Sequence, residues 1–213
     1  MIYLVLKDLM LQKRMLSMMF LYIVLFSFTF QSIPDGQFIA ILVAVSYMFV
    51  MMGCAWEDKN NSDVLWNSLP VSRWQIVGSK YLSILAYVAM VVPVYWFVSA
   101  AFTLLRIPVS TAPITWWGIG AAMAVVFLIS SFYLPVFFAL GYTKSRYWNF
   151  LLFFGTFSFG SLIPKVLPEP PSWLQNLQNA PMEIFWACFS GVVVLIVAIS
   201  FFVSLLLYGR REF

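Results

Sequence analysis

The chain has 213 residues, of which 63% are hydrophobic and 9% are charged, and its net charge is +4. Soluble globular domains contain about 25% charged residues, so this composition excludes water as the main solvent and indicates an integral membrane protein. The chain contains no histidine, which excludes serine–histidine–aspartate triads and histidine-based zinc sites.

The first segment, residues 1–14, is too short and too polar to cross a bilayer. Ile2, Leu6 and Leu9 share one helical face, and Lys7 can meet lipid headgroups. This pattern predicts an interfacial helix on the inner leaflet. A plain cytoplasmic extension of the first span explains the same residues almost equally well.

Long apolar runs follow, and each approaches the 20 or so residues that a spanning helix needs. Between the charged residues there are six such runs, which predict an all-α membrane protein with six transmembrane helices in a single domain, 1–213. The predicted spans are Met15–Ile33, Gln37–Ala55, Tyr81–Leu104, Trp116–Leu140, Tyr147–Pro164 and Ile184–Tyr208.

The positions of lysine and arginine predict the orientation of these spans, because cytoplasmic loops are enriched in both. With the N-terminus inside, ten of the 12 cations fall in inner segments, and the outer loops hold only Arg106 and Lys165. The sequence therefore predicts that both chain ends are cytoplasmic.

The segment between the second and third predicted spans, residues 56–80, is more than a turn. Ser62 and its neighbours can cap a short helix, and Pro70 would end it. Ser72 and Gln75 have the spacing of a capping box, which predicts that the next helix starts in the cytoplasm. We interpret the short helix as a docking element for a partner. A surface loop with solvated charges is the alternative.

The second long connection is external and covers residues 165–183. Its prolines favour an extended start, and Trp173, Leu174 and Leu177 can form an apolar stripe. It is either a lid over an exit or a loop anchored by tryptophan, and the sequence leaves both interpretations open.

Two further features concern the spans themselves. Cys54 lies near the inner end of one span and Cys188 near the outer end of another, so a disulfide within the chain is not expected and both are interpreted as buried apolar groups. Pro93, Pro135 and Pro164 lie inside spans and can kink them.

Several kinds of chemistry are missing from the sequence. There is no Walker A motif, and the spans hold essentially no ionisable side chain at mid-membrane depth, where such groups mark proton relays and ion pathways. This argues against an ion-coupled transporter, an intramembrane hydrolase and a voltage sensor. A channel, a structural subunit, or a transporter powered by another chain remains.

The fifth predicted span carries polar and small side chains that suit the wall of a transport path. These residues are Asn149, Gly155, Thr156, Ser158 and Gly160.

One pattern resembles a known family. Lys7-Asp8-Leu9 with Lys13, and the stretch from Glu57-Asp58-Lys59-Asn60 through Ser68-Leu69-Pro70 to Lys80-Tyr81-Leu82, resemble membrane subunits of ABC-2 type ABC exporters. The layout is similar to compact bacterial permeases, which include exporters of amphipathic peptides such as phenol-soluble modulins.

The resemblance implies a permease in the bacterial plasma membrane with no enzyme activity or cofactor of its own. Two copies, or this chain and a paralogue, would pair with separately encoded ATPase subunits that bind ATP and magnesium. The fifth span, with the first or second, would line the path, and the external loop would lie over the exit. The implied coupling residues are Glu57, Asp58, Asp63, Val64, Leu65, Leu69 and Arg73. Glu57 and Asp58 are expected to be exposed carboxylates that meet a partner's basic side chains, because a helix dipole disfavours anions at the C-terminal end of a span.

The predicted function is therefore export of an amphipathic or hydrophobic substrate, such as a peptide, toxin, antimicrobial or lipid-like molecule. A non-transporting immunity or sensor subunit is the alternative. Substrate identity, the direction of transport, and the choice between homodimer and heterodimer stay open at this stage.

Overall fold

A computed structural model describes residues 2–12, 15–34, 36–60, 72–107, 109, 111–166 and 182–210, with side chains except at 2, 11, 16, 32, 150–166, 182–185, 187 and 210. Within these ranges every regular element is a helix, which confirms the all-α prediction. The helices are α1 (Ile2–Leu11), α2 (Leu16–Thr29, continued by a 3-10 turn, Phe30–Ser32), α3 (Gln37–Lys59), α4 (Arg73–Leu104), α5 (Trp116–Val166) and α6 (Met182–Arg210).

Four helices in the described part of the chain are long and apolar enough to cross a membrane: Gln37–Lys59, Arg73–Leu104, Trp116–Asn149 and Cys188–Gly209. A shorter apolar helix, Ser17–Thr29, precedes them. The chain is therefore a multi-pass helical membrane protein. The count of six spans stays a prediction.

The start of α4 follows the predicted capping box. Ser72 has an extended backbone, and its N–H donates to Oε1 of Gln75 at 3.3 Å. From Arg73 the helix runs for 32 residues, through Pro93, to Leu104. The prediction that this helix begins before the apolar span is confirmed.

Helix α5 is interrupted at Gly141, where φ is 75° and ψ is 172°. A side chain is strained in this region of φ/ψ space, whereas glycine adopts it freely. The interruption divides α5 into a first arm (116–140) and a second arm (142–166).

The contacts of the two arms with α3 show that the chain reverses direction at Gly141. Along the first arm, the ring of Tyr133 lies 6.2 Å from that of Tyr47. Just past the break, the Thr143 hydroxyl donates to Asp58 at the far end of α3. Asn149 then returns to Tyr47. The two arms form a helical hairpin against α3.

Helices α4 and α6 also have defined directions. In α4, Tyr87 packs on Phe49 and Tyr95 packs on Phe38, with ring centroids 6.1 and 5.0 Å apart, so α4 runs antiparallel to α3. In α6, Trp186 packs on Trp117 and Tyr208 packs on Phe138, so α6 runs parallel to the first arm of α5.

Helix α3 lies at the centre of the bundle and packs against α1, α2, α4 and α5. Its side chains Ile41, Leu42 and Val45 are fully buried. In lipid, where burial of apolar groups brings little, close van der Waals packing of this kind holds helices together.

Both cysteines are free, as predicted. Cys54 is buried, but Cys188 is exposed on the single chain, so the expectation that both are buried is wrong for Cys188. The reason is its place near the start of α6, whose outer face is largely uncovered by the rest of the chain.

Candidate coupling and transport sites

Four charged side chains from three helices form a closed cluster, which we call the ion ring: Lys7 and Asp8 of α1, Glu57 of α3 and Lys80 of α4. The Lys80 ammonium lies 2.9 Å from Asp8 and 2.9 Å from Glu57. The Lys7 ammonium lies 3.1 Å from Asp8 and 2.5 Å from Glu57. Positive and negative groups therefore alternate around the ring, and each carboxylate faces two ammonium groups.

The ion ring is largely shielded from solvent. Asp8 is 1% exposed and Lys80 is 6% exposed, and the Ser83 hydroxyl donates to Oδ2 of Asp8 at 2.9 Å. Burial alone would raise the pKa of Asp8, but the ammonium groups of Lys80 and Lys7 together hold it below its usual value. Asp8 is thus an ionised carboxylate in the folded protein.

A second polar contact fixes the end of α1. The Gln12 amide donates to the backbone carbonyl of Phe49 at 2.8 Å and to the Tyr87 hydroxyl at 3.0 Å. Gly53 makes room for it, because a Cβ there would lie 2.9 Å from the Gln12 nitrogen. The N-terminal segment is therefore attached to both α3 and α4.

A groove of about 440 Å³ lies between α2, α3 and the second arm of α5. One end holds Arg146, Asn149 and Met51, and the Asn149 side chain is hydrogen-bonded to the Tyr47 hydroxyl. The remaining lining is apolar or aromatic and comprises Phe26, Phe30, Ala44 and Met48. The groove thus has one polar end and an apolar body.

Another groove, of about 380 Å³, lies between α4, α5 and α6. Of the lining residues that the structure describes, only Tyr81 is polar and none is charged. The Tyr81 hydroxyl is hydrogen-bonded to Ser200 at 2.7 Å and to Ser204 at 3.1 Å. Among the described residues there is also no cluster of acidic or cysteine side chains that could hold a metal ion.

The sequence profile of a family described as ABC-2 family transporter protein matches residues 3–209. The chain belongs to this family. It is therefore a membrane permease component of an ABC transporter, not itself catalytic, and the family implies association with ABC ATPase partners. Comparison with curated proteins and with solved structures finds no match. The family resemblance seen in the sequence is confirmed.

Two of the coupling residues predicted for this permease have a different environment from the one expected. Glu57 and Asp58 were expected to be exposed carboxylates, but Glu57 is only 9% exposed and belongs to the ion ring. Asp58 accepts hydrogen bonds from the Tyr142 N–H at 3.3 Å and the Thr143 hydroxyl at 3.1 Å. The expectation is wrong because α1 and the hairpin turn of α5 supply partners from distant parts of the chain.

The other coupling residues divide into two groups. The Arg73 guanidinium is exposed and donates to the Gly209 carbonyl at 2.6 Å, which joins the start of α4 to the end of α6. Asp63, Val64, Leu65 and Leu69 lie outside the residues that the structure describes. The coupling role of the whole set stays a prediction.

Of the residues predicted for the transport path, Asn149 lines the groove beside α2 and α3. Gly155, Thr156, Ser158 and Gly160 belong to the helix of the second arm, and their side chains are not described. Sequence reasoning missed Tyr47 and Arg146, which stand with Asn149 at the polar end. Ala44, Tyr47, Met48 and Met51 have the i, i+3, i+4, i+7 spacing of one helix face. This spacing was the signal that could have placed Tyr47 in the groove.

Proposed function

We propose that this permease exports an amphipathic or hydrophobic substrate, of the peptide, toxin, antimicrobial or lipid-like kind, using ATP hydrolysed by a separate subunit. The observation that carries the proposal is the groove beside α3. Its polar end, with Arg146 and Asn149, lies toward the end of α3 that holds Asp58, and its apolar body extends the other way toward Phe30. An amphipath in the inner leaflet has the same polarity, with its headgroup at the cytoplasmic surface.

The directions of the helices support six crossings with both ends in the cytoplasm. The antiparallel arms of α5 add one crossing in each direction, and α6 then runs parallel to the first arm. Arg73, at the start of α4, contacts Gly209, at the end of α6. Together with the ten-to-two distribution of cations, these directions support the proposal that both chain ends lie on the inner side of a bacterial plasma membrane.

The partners in this proposal are two ATPase subunits, which carry ATP and magnesium, and a second permease copy or a paralogue. Segment 56–80 carries Val64 and Leu65 and acts as the cytoplasmic coupling segment. The second arm of α5, with Gly155, Thr156, Ser158 and Gly160, faces the path together with the groove, and residues 165–183 cover the exit.

Pull-down of an ATPase subunit from detergent extract tests the proposal. Replacing Val64 and Leu65 with aspartate introduces two charges into the docking helix, and a charge buried in a groove without a partner is strongly unfavourable. The variant inserts into the membrane and loses the ATPase. The matched control carries the same two changes at Leu104 and Leu105, which are exposed at the opposite end of α4, and it retains the ATPase.

The outcomes separate export from the alternative function. Export is supported if the rate of ATP hydrolysis by the purified complex rises when an amphipathic helical peptide is added. An ATPase that co-purifies but never responds to amphipaths or drives their transport favours a non-transporting immunity or sensor subunit. A wild-type chain that retains no ATPase overturns the proposal.

A further inference from the structure

The ion ring lies at the junction between the end of α3 and the start of α4. Glu57 lies in the last turn of α3 and Lys80 in the first turns of α4, so the ring joins the two helix ends between which the proposed coupling segment lies. Lys7 and Asp8 bring α1 into the same cluster. Three helices that are distant in sequence are therefore connected at one point.

The geometry of the ring makes this connection stiff. Each of the four groups has two oppositely charged neighbours, at separations of 2.5 to 3.1 Å. Moving any one of the three helices by a few ångströms would break two ion pairs between helices at once. Moving α3 or α4 would also leave Glu57 or Lys80 buried without a partner, which is strongly unfavourable. A ring of this kind has one favourable arrangement, so its helices move together.

A purely stabilising role does not account for the placement of α1. Glu57 and Lys80 already neutralise each other, and this single pair would hold the ends of α3 and α4 together without α1. Asp8 is instead inserted among them, almost fully buried, with Ser83 of α4 as an additional donor. The buried carboxylate of Asp8 thus attaches α1 to this junction through Lys80 and Ser83.

We propose that Lys7, Asp8, Glu57 and Lys80 are positioning residues that make α1, the end of α3 and the start of α4 one rigid unit. A displacement that the ATPase imposes on the α3–α4 junction is then passed to α1 and, through it, to α2, which lines the transport groove. That the ATPase supplies the displacement rests on the proposed function. The rigid unit is formed by residues of this chain and does not depend on the ATPase.

Distance measurement by pulsed electron paramagnetic resonance tests the inference. Spin labels replace the exposed Met10 of α1 and the exposed Ser72 that caps α4, in full-length protein without Cys54 and Cys188 in lipid nanodiscs. The wild-type ring gives a single narrow distance. Asp8→Asn with Lys80→Met removes one anion and one cation from the ring, and the narrow distance is lost.

The matched control is Asp58→Asn with Lys59→Met, which removes the same charges next to the ring but outside it. This control keeps the narrow distance. The ring variant is compared at a temperature where its helix content equals that of the control, so that unfolding does not imitate release of α1. A narrow distance in the ring variant overturns the inference, because other contacts, such as that of Gln12, would then be sufficient.

A second measurement uses the complex with its ATPase, trapped with ATP and vanadate. The rigid unit predicts that the distance from Met10 to Ser72 stays the same in the trapped and nucleotide-free states. A shift between the two states in the wild type contradicts the inference while leaving the permease role intact. If no ATPase accompanies the wild type, the proposed function fails, and the measurement on the chain alone still decides whether the unit is rigid.

Discussion

Lys80 and Asp8 lie 72 residues apart in the chain and form a buried ion pair in which Nζ and Oδ2 are 2.9 Å apart. Two isolated charges would be costly at this depth, because transfer from water to a low-dielectric interior removes their hydration. Lys7 adds a second cation beside Asp8, and Glu57 adds a second anion beside Lys80, so each member of the pair has two oppositely charged neighbours. The structure thus replaces hydration of the N-terminal segment with internal ion pairing.

The first prediction concerns the strength of this pair. Asp8→Asn and Lys80→Met each leave an unbalanced buried charge, and each lowers the free energy of unfolding by about 3 kcal/mol, as for other broken buried pairs. The double variant removes both charges, and its loss in free energy of unfolding is clearly smaller than the sum of the losses in the two single variants. The measurement is unfolding in mixed micelles, with Lys59→Met as an exposed-cation control. Strictly additive losses would show that the two groups do not interact.

The second prediction concerns pH. The folded-state pKa of Asp8 is lower than its unfolded value, which is about 3.9. Its stabilisation is therefore complete above the unfolded pKa and is lost as the pH falls through the folded-state pKa. The thermal midpoint of the wild type falls steeply below about pH 4, and that of Asp8→Asn falls less. Equal slopes in this range would assign the acid sensitivity to other carboxylates.

The third prediction concerns the hairpin of α5. Gly141→Ala forces a Cβ into a backbone region that is unfavourable for side chains, at a cost of about 1–3 kcal/mol. Gly120→Ala, in the first arm, meets no atom within 4 Å, and it is neutral or stabilises by up to about 1 kcal/mol. Thermal unfolding of both variants makes the comparison. Equal stability of the two would show that the chain reverses without strain at Gly141.

Much of the fold could be predicted from local patterns. Apolar runs gave the helices, and the spacing of Ser72 and Gln75 gave the start of α4. The runs also predicted a boundary between Leu140 and Tyr147, and the break at Gly141 falls there. That a single residue forms this break, while the helices continue through Pro93 and Pro135, could not be predicted in this way. A proline in a spanning helix is accommodated when neighbouring groups satisfy the freed carbonyl. A reversal needs a positive φ, which only glycine adopts without strain.

The ion ring shows how far the candidate site could be predicted from the sequence. Lys7, Asp8, Glu57 and Lys80 were all singled out in the sequence, but Glu57 was interpreted as an exposed carboxylate. A charge at the end of an apolar helix has the same local pattern whether lipid headgroups, water or a distant side chain neutralises it. Which of these applies depends on how α1 packs, and that is a long-range property.

The fourth prediction concerns topology. Arg106, just past the end of α4, and Lys144, just past the break in α5, are both exposed. In a background without Cys54 and Cys188, a cysteine at Arg106 reacts with a membrane-impermeant maleimide in intact cells, and one at Lys144 reacts only after permeabilisation. Labelling of Lys144 from outside would contradict the proposed orientation.

The last prediction concerns the transport groove. Ala44 lies on α3 in its apolar body, and Ala44→Trp fills that space without changing charge. A steric cost of about 1–3 kcal/mol, as for overfilled packed sites, corresponds to roughly a 5- to 150-fold loss in apparent affinity. The measurement is ATP-dependent accumulation, in inside-out vesicles, of a fluorescent amphipathic peptide that stimulates the complex. The control is Ala198→Trp, which places the same ring in the groove between α4, α5 and α6 and leaves accumulation unchanged. Loss of accumulation in the Ala198 variant alone would move the path to that groove, and equal loss in both would indicate a general effect of tryptophan on the fold.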